Sequence, residues 1–249
     1  MPLVPAALLV IALAGLAYFT WRDVRQYAAF KRLTDTKDRQ ARYRRWLVGA
    51  FAVFIGGSLA ILAMLGCLGC IVHPPKPFLG AMRWAQARLP PQLVLLLLGG
   101  LVSILVMVVV AGVVMATSAA RRRATPKLRT IGDIAPLMPR NGAETVWTAL
   151  LSLNAGVGEE LFFRLTLPLL FALVTGSAAA AFVAAAVVFG LMHVYQGWAG
   201  VAAASFLGLA LTAIYLWTGS LALPIALHAG LDLVGLVVRP TLARIAEQR

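Results

Sequence analysis

The chain has 249 residues, 61% of them hydrophobic, with 22 Lys/Arg against 9 Asp/Glu. A soluble domain is about 45–50% apolar, so this composition, with a mean hydropathy of +0.88, excludes an ordinary soluble enzyme. In so apolar a chain, the basic excess marks cytoplasmic loops rather than a nucleic-acid surface. The two cysteines exclude a disulfide-rich scaffold.

Apolar runs long enough to cross a bilayer recur along the chain. The first covers about Leu3 to Thr20. It lacks the basic start and small-residue cleavage site of a signal peptide. A basic segment from Arg22 to Arg45 follows, with nine Lys/Arg against Asp23, Asp35 and Asp38. This segment is expected in the cytoplasm, which puts the amino terminus outside. A second span from Trp46 to Val72 contains Gly56-Gly57, where a neighbouring helix can approach, and ends at Pro74-Pro75-Lys76-Pro77. Cys67 and Cys70, with His73 after them, read as small apolar filler at that helix end, with a redox or metal pair as the alternative. Phe78 to Leu89 reads as a short outer helix anchored by Trp84, and Gln92 to Ser118 as a third, uncharged span.

Arg121-Arg122-Arg123, Lys127, Arg129 and Arg140, with Pro126, Pro136 and Pro139, mark a second irregular basic loop. The next stretch, Ala143 to Val174, is too long for one upright span at about 1.5 Å per residue. Pro168 and the Gly156/Gly158 pair predict a broken or tilted helix. Spans from Ser177 to His193, Ala199 to Trp217 and Ser220 to Val238 follow, then a basic tail, Arg239 to Arg249. The expectation is an all-α polytopic transmembrane bundle of about seven spans, or eight if the fourth stretch is broken or re-entrant. Residues 1–142 form the amino-terminal helices and basic loops, 143–238 the functional core and 239–249 the tail. With both basic loops inside, the carboxyl terminus is cytoplasmic.

Between Thr145 and Val238 the only formal charges are Glu159, Glu160, Arg164 and Asp232, and His193 and His228 lie in the same region. Ionisable groups within a bilayer are costly, so such a set marks a functional site. On a helix Glu160 and Arg164 are i and i+4 and can pair. Glu159 points about 100° away, as the helical turn dictates, and stays free to act as a general base. His228 and Asp232 share a helical face, where Asp232 can accept a proton from the imidazole and set its tautomer. The set suits activation of a water to attack a carbonyl: Glu159 takes the proton, and His193 and His228 place the water or stabilise the oxyanion. Glu159, His193 and His228 are also candidate ligands for a divalent metal such as zinc. No HExxH segment or GxSxG elbow is present.

The ordered motifs Glu159-Glu160-x-x-x-Arg164, Phe189-x-x-x-His193 and His228-x-x-x-Asp232 resemble those of the CPBP family of intramembrane proteases. That family includes the type II CAAX prenyl endopeptidases and bacteriocin self-immunity proteins. The resemblance spans about Ala143 to Val238. It implies that Glu159 is the catalytic glutamate, that His193 and His228 complete the water-activating site, and that Glu160 and Arg164 support it. The family commonly has asparagine where this chain has Asp232. It is described both as metal-dependent and as metal-independent. The implied substrate is a membrane-associated or prenylated, CAAX-type peptide or protein. The partner is the lipid bilayer, with no role for nucleic acid, and the composition suggests a bacterial inner membrane. The alternatives are a non-catalytic immunity or scaffold protein and a proton-coupled carrier. Substrate, cofactor and oligomeric state are not specified by the sequence.

Overall fold

In the computed structural model, residues 3–117 and 130–247 are described, and the described residues contain helices and no strand. The arginine triplet 121–123, Pro126, Lys127 and Arg129 lie outside the described residues, as do Ser118 at the end of the third span and the last two residues of the tail.

Helix α1 (Leu3–Phe30) runs ten residues past the expected end of the first span. Its continuation carries much of the segment read as a loop, because Arg22, Arg25 and Gln26 tolerate a helix as well as the apolar residues do. After a short turn, Asp35 caps α2 (Thr36–Ala50) by accepting from the amides of Lys37 and Asp38. A π turn, Phe51–Gly56, joins α2 to α3 (Gly57–Met64). The second span thus ends at Met64 rather than at Val72. The chain then breaks at Gly66, with φ of 64°, and forms short 3₁₀ turns. There Cys67 and Cys70 are joined in a disulfide, which corrects their reading as filler. Helix α4 (Leu79–Arg88) leaves Trp84 exposed, as an interfacial anchor requires, and α5 (Pro91–Thr117) follows.

The fourth apolar stretch does not break. Helix α6 (Gly142–Glu160), a π turn (Leu161–Thr166) and α7 (Leu167–Thr175) form one continuous rod. Pro168 falls just after the π turn, in the first turn of α7, where the helical hydrogen-bond register has already shifted. The Thr166 hydroxyl donates to Leu161 O at 3.1 Å and occupies one carbonyl freed there. The expected weak points, Gly156 and Gly158, are packing points instead. A Cβ on Gly156 would lie 2.6 Å from Ala229 Cβ and 2.7 Å from Ala229 N, and one on Gly158 would lie 3.0 Å from Phe54 Cβ.

Helices α8 (Ala178–Met192) and α9 (Gly197–Thr218) pack together across a 3₁₀ turn, His193–Gln196. Helix α10 (Ala222–Leu233) lies along α6 and continues through a π turn, Val234–Val238, into α11 (Arg239–Glu247). The carboxyl-terminal tail is therefore helical, and Arg244 ties it to Pro139 O and Thr145 Oγ1 at 3.0 and 2.9 Å. Among the described residues, five helical segments are long and apolar enough to cross a membrane, one of them holding both α8 and α9. The α6–α7 rod, which carries the charges, is not one of the five. Every residue from Leu161 to Leu170 is buried, so this rod forms the middle of the bundle. Phe162 and Phe163 meet Phe54 and Phe189 on one side, and Leu165 and Leu169 meet Phe78, Phe182 and Tyr215 on the other.

The close approach of α6 to α10 makes a specific prediction. Gly156→Ala forces backbone apart rather than a flexible side-chain tip, and should cost roughly 1–3 kcal/mol, as overpacking does. Thermal unfolding of purified protein in detergent measures it; an unchanged midpoint would mean that the two helices are not held at this distance.

Candidate active site

The end of α6 and the π turn after it place three charged side chains within six residues. Glu160 is fully buried, and Arg164 Nε stands 3.0 Å from Glu160 Oε2, one turn along the rod. The Arg164 guanidinium lies over the Phe189 ring, 4.8 Å from its centroid, a cation–π contact that helps hold a charge away from water. Glu160 has a second partner. His228 Nδ1 is 2.7 Å from Glu160 Oε1, and because a carboxylate only accepts, this nitrogen donates. Arg164, Glu160 and His228 thus form a buried chain joining the α6–α7 rod to α10. The close packing of Gly156 on Ala229, one residue after His228, makes that reach possible.

This corrects one expectation. Asp232 does not set the His228 tautomer; Glu160 does. The Asp232 carboxylate lies 3.9 Å from the opposite nitrogen, Nε2. Glu159 Oε2 lies 4.0 Å from the same Nε2 and, although buried, has no hydrogen-bond partner in the protein. Glu159 is thus the free carboxylate, rotated away from the Glu160–Arg164 pair as the helical spacing requires.

His193 ends α8. Its Nδ1 donates to Phe189 O at 2.8 Å, because a carbonyl likewise only accepts. In the neutral ring this leaves the Nε2 lone pair open as an acceptor. Glu159, His193, His228 and Asp232 all line one cavity of about 450 Å³. Glu160 and Arg164 lie behind it and hold His228.

The cavity wall includes residues that the motifs did not single out. Phe19, Asp23 and Tyr27 line it from α1, and Tyr43, Trp46 and Phe54 from α2 and the π turn after it. Ile131, Ile134 and Leu137 come from the loop before α6, and Tyr195 from the turn after His193. The signal was present in α1: Phe19, Asp23 and Tyr27 are spaced i, i+4, i+8 and so share a face. In the sequence only Phe19 falls in the first apolar run, and Asp23 and Tyr27 fall in the basic segment read as a loop. The amino-terminal helices therefore supply wall to the site. Among the described residues, no group of three or more His, Cys, Asp or Glu side chains could hold a metal ion.

A second buried charge pair supports the cavity wall at Tyr43 and Leu137. Arg39 and Glu144 are both fully buried, with Arg39 Nε donating to Glu144 Oε2 at 3.0 Å. Arg39 also donates to Tyr43 Oη, Pro136 O and Met138 O. Glu144 further accepts from Thr36 Oγ1 and the amide of Arg140. These bonds fasten the loop before α6 to α2. None of these residues could be paired from sequence, since Arg39 is one of nine basic residues in its segment.

Residues 141–234 match the family model of the type II CAAX prenyl endopeptidases, described as Rce1-like. The match makes this segment similar to the CPBP-family intramembrane proteases. It contains Glu159, Glu160, Arg164, His193, His228 and Asp232, the six side chains of the three motifs. No curated protein and no solved structure matches the chain. The apolar helices and the matched segment together support an integral membrane protein whose core is similar to these proteases.

The buried chain predicts a pattern of stability. Arg164→Leu strands the Glu160 carboxylate and should cost about 3–5 kcal/mol, as breaking a buried pair does. The double variant Glu160→Gln/Arg164→Leu keeps an acceptor for His228 without the stranded charge, and should recover much of the loss. Melting midpoints of the two proteins test this; equal losses would show that the pair is not coupled.

Proposed function

We propose that the protein is an intramembrane endopeptidase in which Glu159 activates a water against a peptide carbonyl of a membrane-associated substrate. The observation that carries this reading is the half-buried Glu159 carboxylate that lines the cavity beside His228 Nε2 with no arginine and no hydrogen bond on its buried Oε2, while its neighbour Glu160 holds Arg164 at 3.0 Å and His228 at 2.7 Å. A structural ion-pair network has no use for a carboxylate left in that state.

The chemistry follows from the contacts. The 4.0 Å between Glu159 Oε2 and His228 Nε2 is short enough for one water to hydrogen-bond both, each at about 2.8 Å. His193, with Nδ1 committed to Phe189 O, offers Nε2 as a further acceptor for that water. Glu159 takes a proton as the water oxygen bonds to the carbonyl carbon. The oxyanion then collapses, the C–N bond breaks and the proton passes to the leaving amine. Arg164 and Glu160 act earlier in the chain of cause: they fix the His228 ring so that Nε2 faces the cavity. Each step uses only side chains of this chain. The aromatic wall admits an apolar substrate segment, consistent with a lipidated or transmembrane one. The basic end of α1 and the start of α2 are assigned to the cytoplasmic side of a bacterial inner membrane, with the amino terminus outside.

Glu159→Gln preserves shape and removes the base. Membrane-protein termini should be compared in cells lacking the protein and complemented with wild type or Glu159→Gln at matched abundance. New termini should appear with wild type and be absent with the variant. Identical termini in both would overturn the protease reading and favour a scaffold or a carrier. The metal-free route also predicts that cleavage in isolated membranes persists in EDTA; loss on chelation and return on adding zinc would overturn that route.

A further inference from the structure

An oxyanion needs hydrogen-bond donors, and the centre of this site is rich in acceptors. Glu159, Glu160 and Asp232 surround His228, and any proton on His228 Nε2 faces two carboxylates at 4.0 and 3.9 Å. An ionised Asp232 supplies no N–H of its own. The donor must therefore be sought elsewhere on the cavity wall.

Three tyrosines line the cavity, Tyr27, Tyr43 and Tyr195. Two have spent their protons. Tyr27 Oη donates to Asp133 O, and Tyr43 Oη donates to Leu137 O at 3.1 Å while accepting from Arg39. Tyr195 differs. Its oxygen accepts from Gln196 Nε2 at 2.9 Å, and its own proton has no acceptor among the described residues. Its ring is fixed on both sides. It lies against His193 with centroids 6.2 Å apart and planes 26° apart, and meets Tyr27 edge-on at 5.2 Å. The turn that carries it is pinned by Asp133 N, which donates to Gln196 O at 2.8 Å. A neutral donor held in place by packing, with its acceptor role already filled, is what stabilisation of a developing negative charge requires.

We propose that the Tyr195 hydroxyl is a catalytic hydrogen-bond donor that binds the scissile carbonyl oxygen and stabilises the oxyanion formed when the Glu159-activated water attacks. The inference rests on the protease reading above. In the tetrahedral step Tyr195 keeps its proton and only donates a hydrogen bond. The Gln196 amide, by occupying the phenol oxygen, turns that proton towards the cavity.

Tyr195→Phe removes one oxygen and leaves both ring contacts in place. The experiment is the rate at which new membrane-protein termini appear after pulsed expression. It compares wild type, Glu159→Gln, Tyr195→Phe and Tyr195→Phe/Asp232→Asn at matched abundance and melting midpoint. Tyr195→Phe is expected to slow cleavage about 10²–10³-fold, the loss seen when one oxyanion donor is removed. The added Asp232→Asn amide is expected to restore at least tenfold of it, a recovery that a merely structural tyrosine would not show. Wild-type rates in Tyr195→Phe, with Glu159→Gln inactive, would overturn this inference and leave the protease reading standing. No rescue by Asp232→Asn would also overturn it. No new termini with wild type would overturn both.

Discussion

The site depends on one carboxylate holding two partners at once. Glu160 receives Arg164 on one oxygen and His228 on the other, with no part of it exposed. A buried carboxylate with one cation tends to pay more in desolvation than it gains. Adding a charge-assisted hydrogen bond from an imidazole changes the balance. The same arrangement frees Glu159: Arg164 is committed to its neighbour, and His228 presents its second nitrogen to the cavity. Two adjacent glutamates thus acquire different roles from the turn of a helix and the position of one arginine.

That arrangement governs the packing around it. His228 reaches Glu160 only because α6 and α10 run in contact, and they do so where Gly156 offers no side chain to Ala229. The π turn after Glu160 is the other requirement. A π turn adds a residue to the helix and resets the faces that follow. It lets Arg164 fold back on Glu160 while Phe162 and Phe163 pack on Phe54 and Phe189, and the helix continues through Pro168. Fold and site share the same few residues here.

The helices were legible because apolar runs punctuated by Pro, Gly and arginine clusters leave little choice in a bilayer. The ionisable residues of the site were legible for a related reason, since a charge in such a run calls for an explanation. Their division of labour was only half legible. The i, i+4 spacing gave the Glu160–Arg164 pair, but the partner of His228 lies 68 residues away, and the nearer Asp232 was the wrong candidate. Gly156 and Gly158 read as weak points because a glycine that loosens a helix and one that admits a neighbour look alike in one sequence. The tyrosines were invisible for a further reason: only their hydrogen-bond partners distinguish Tyr195 from Tyr27 and Tyr43.

Arg39 and Glu144 are separated by 105 residues. At roughly 5–20 residues per second of synthesis, α1 and α2 stand in the membrane for roughly 5–20 seconds before the carboxylate that neutralises Arg39 exists. During that interval Arg39 has to keep its guanidinium at the water interface, as long basic side chains do. The first helical pair can take its final packing only when α6 arrives. Assembly is therefore ordered by the chain itself: the cavity wall is completed only as the rod bearing Glu159 enters, so a nascent chain has no complete cavity until its glutamate is in place.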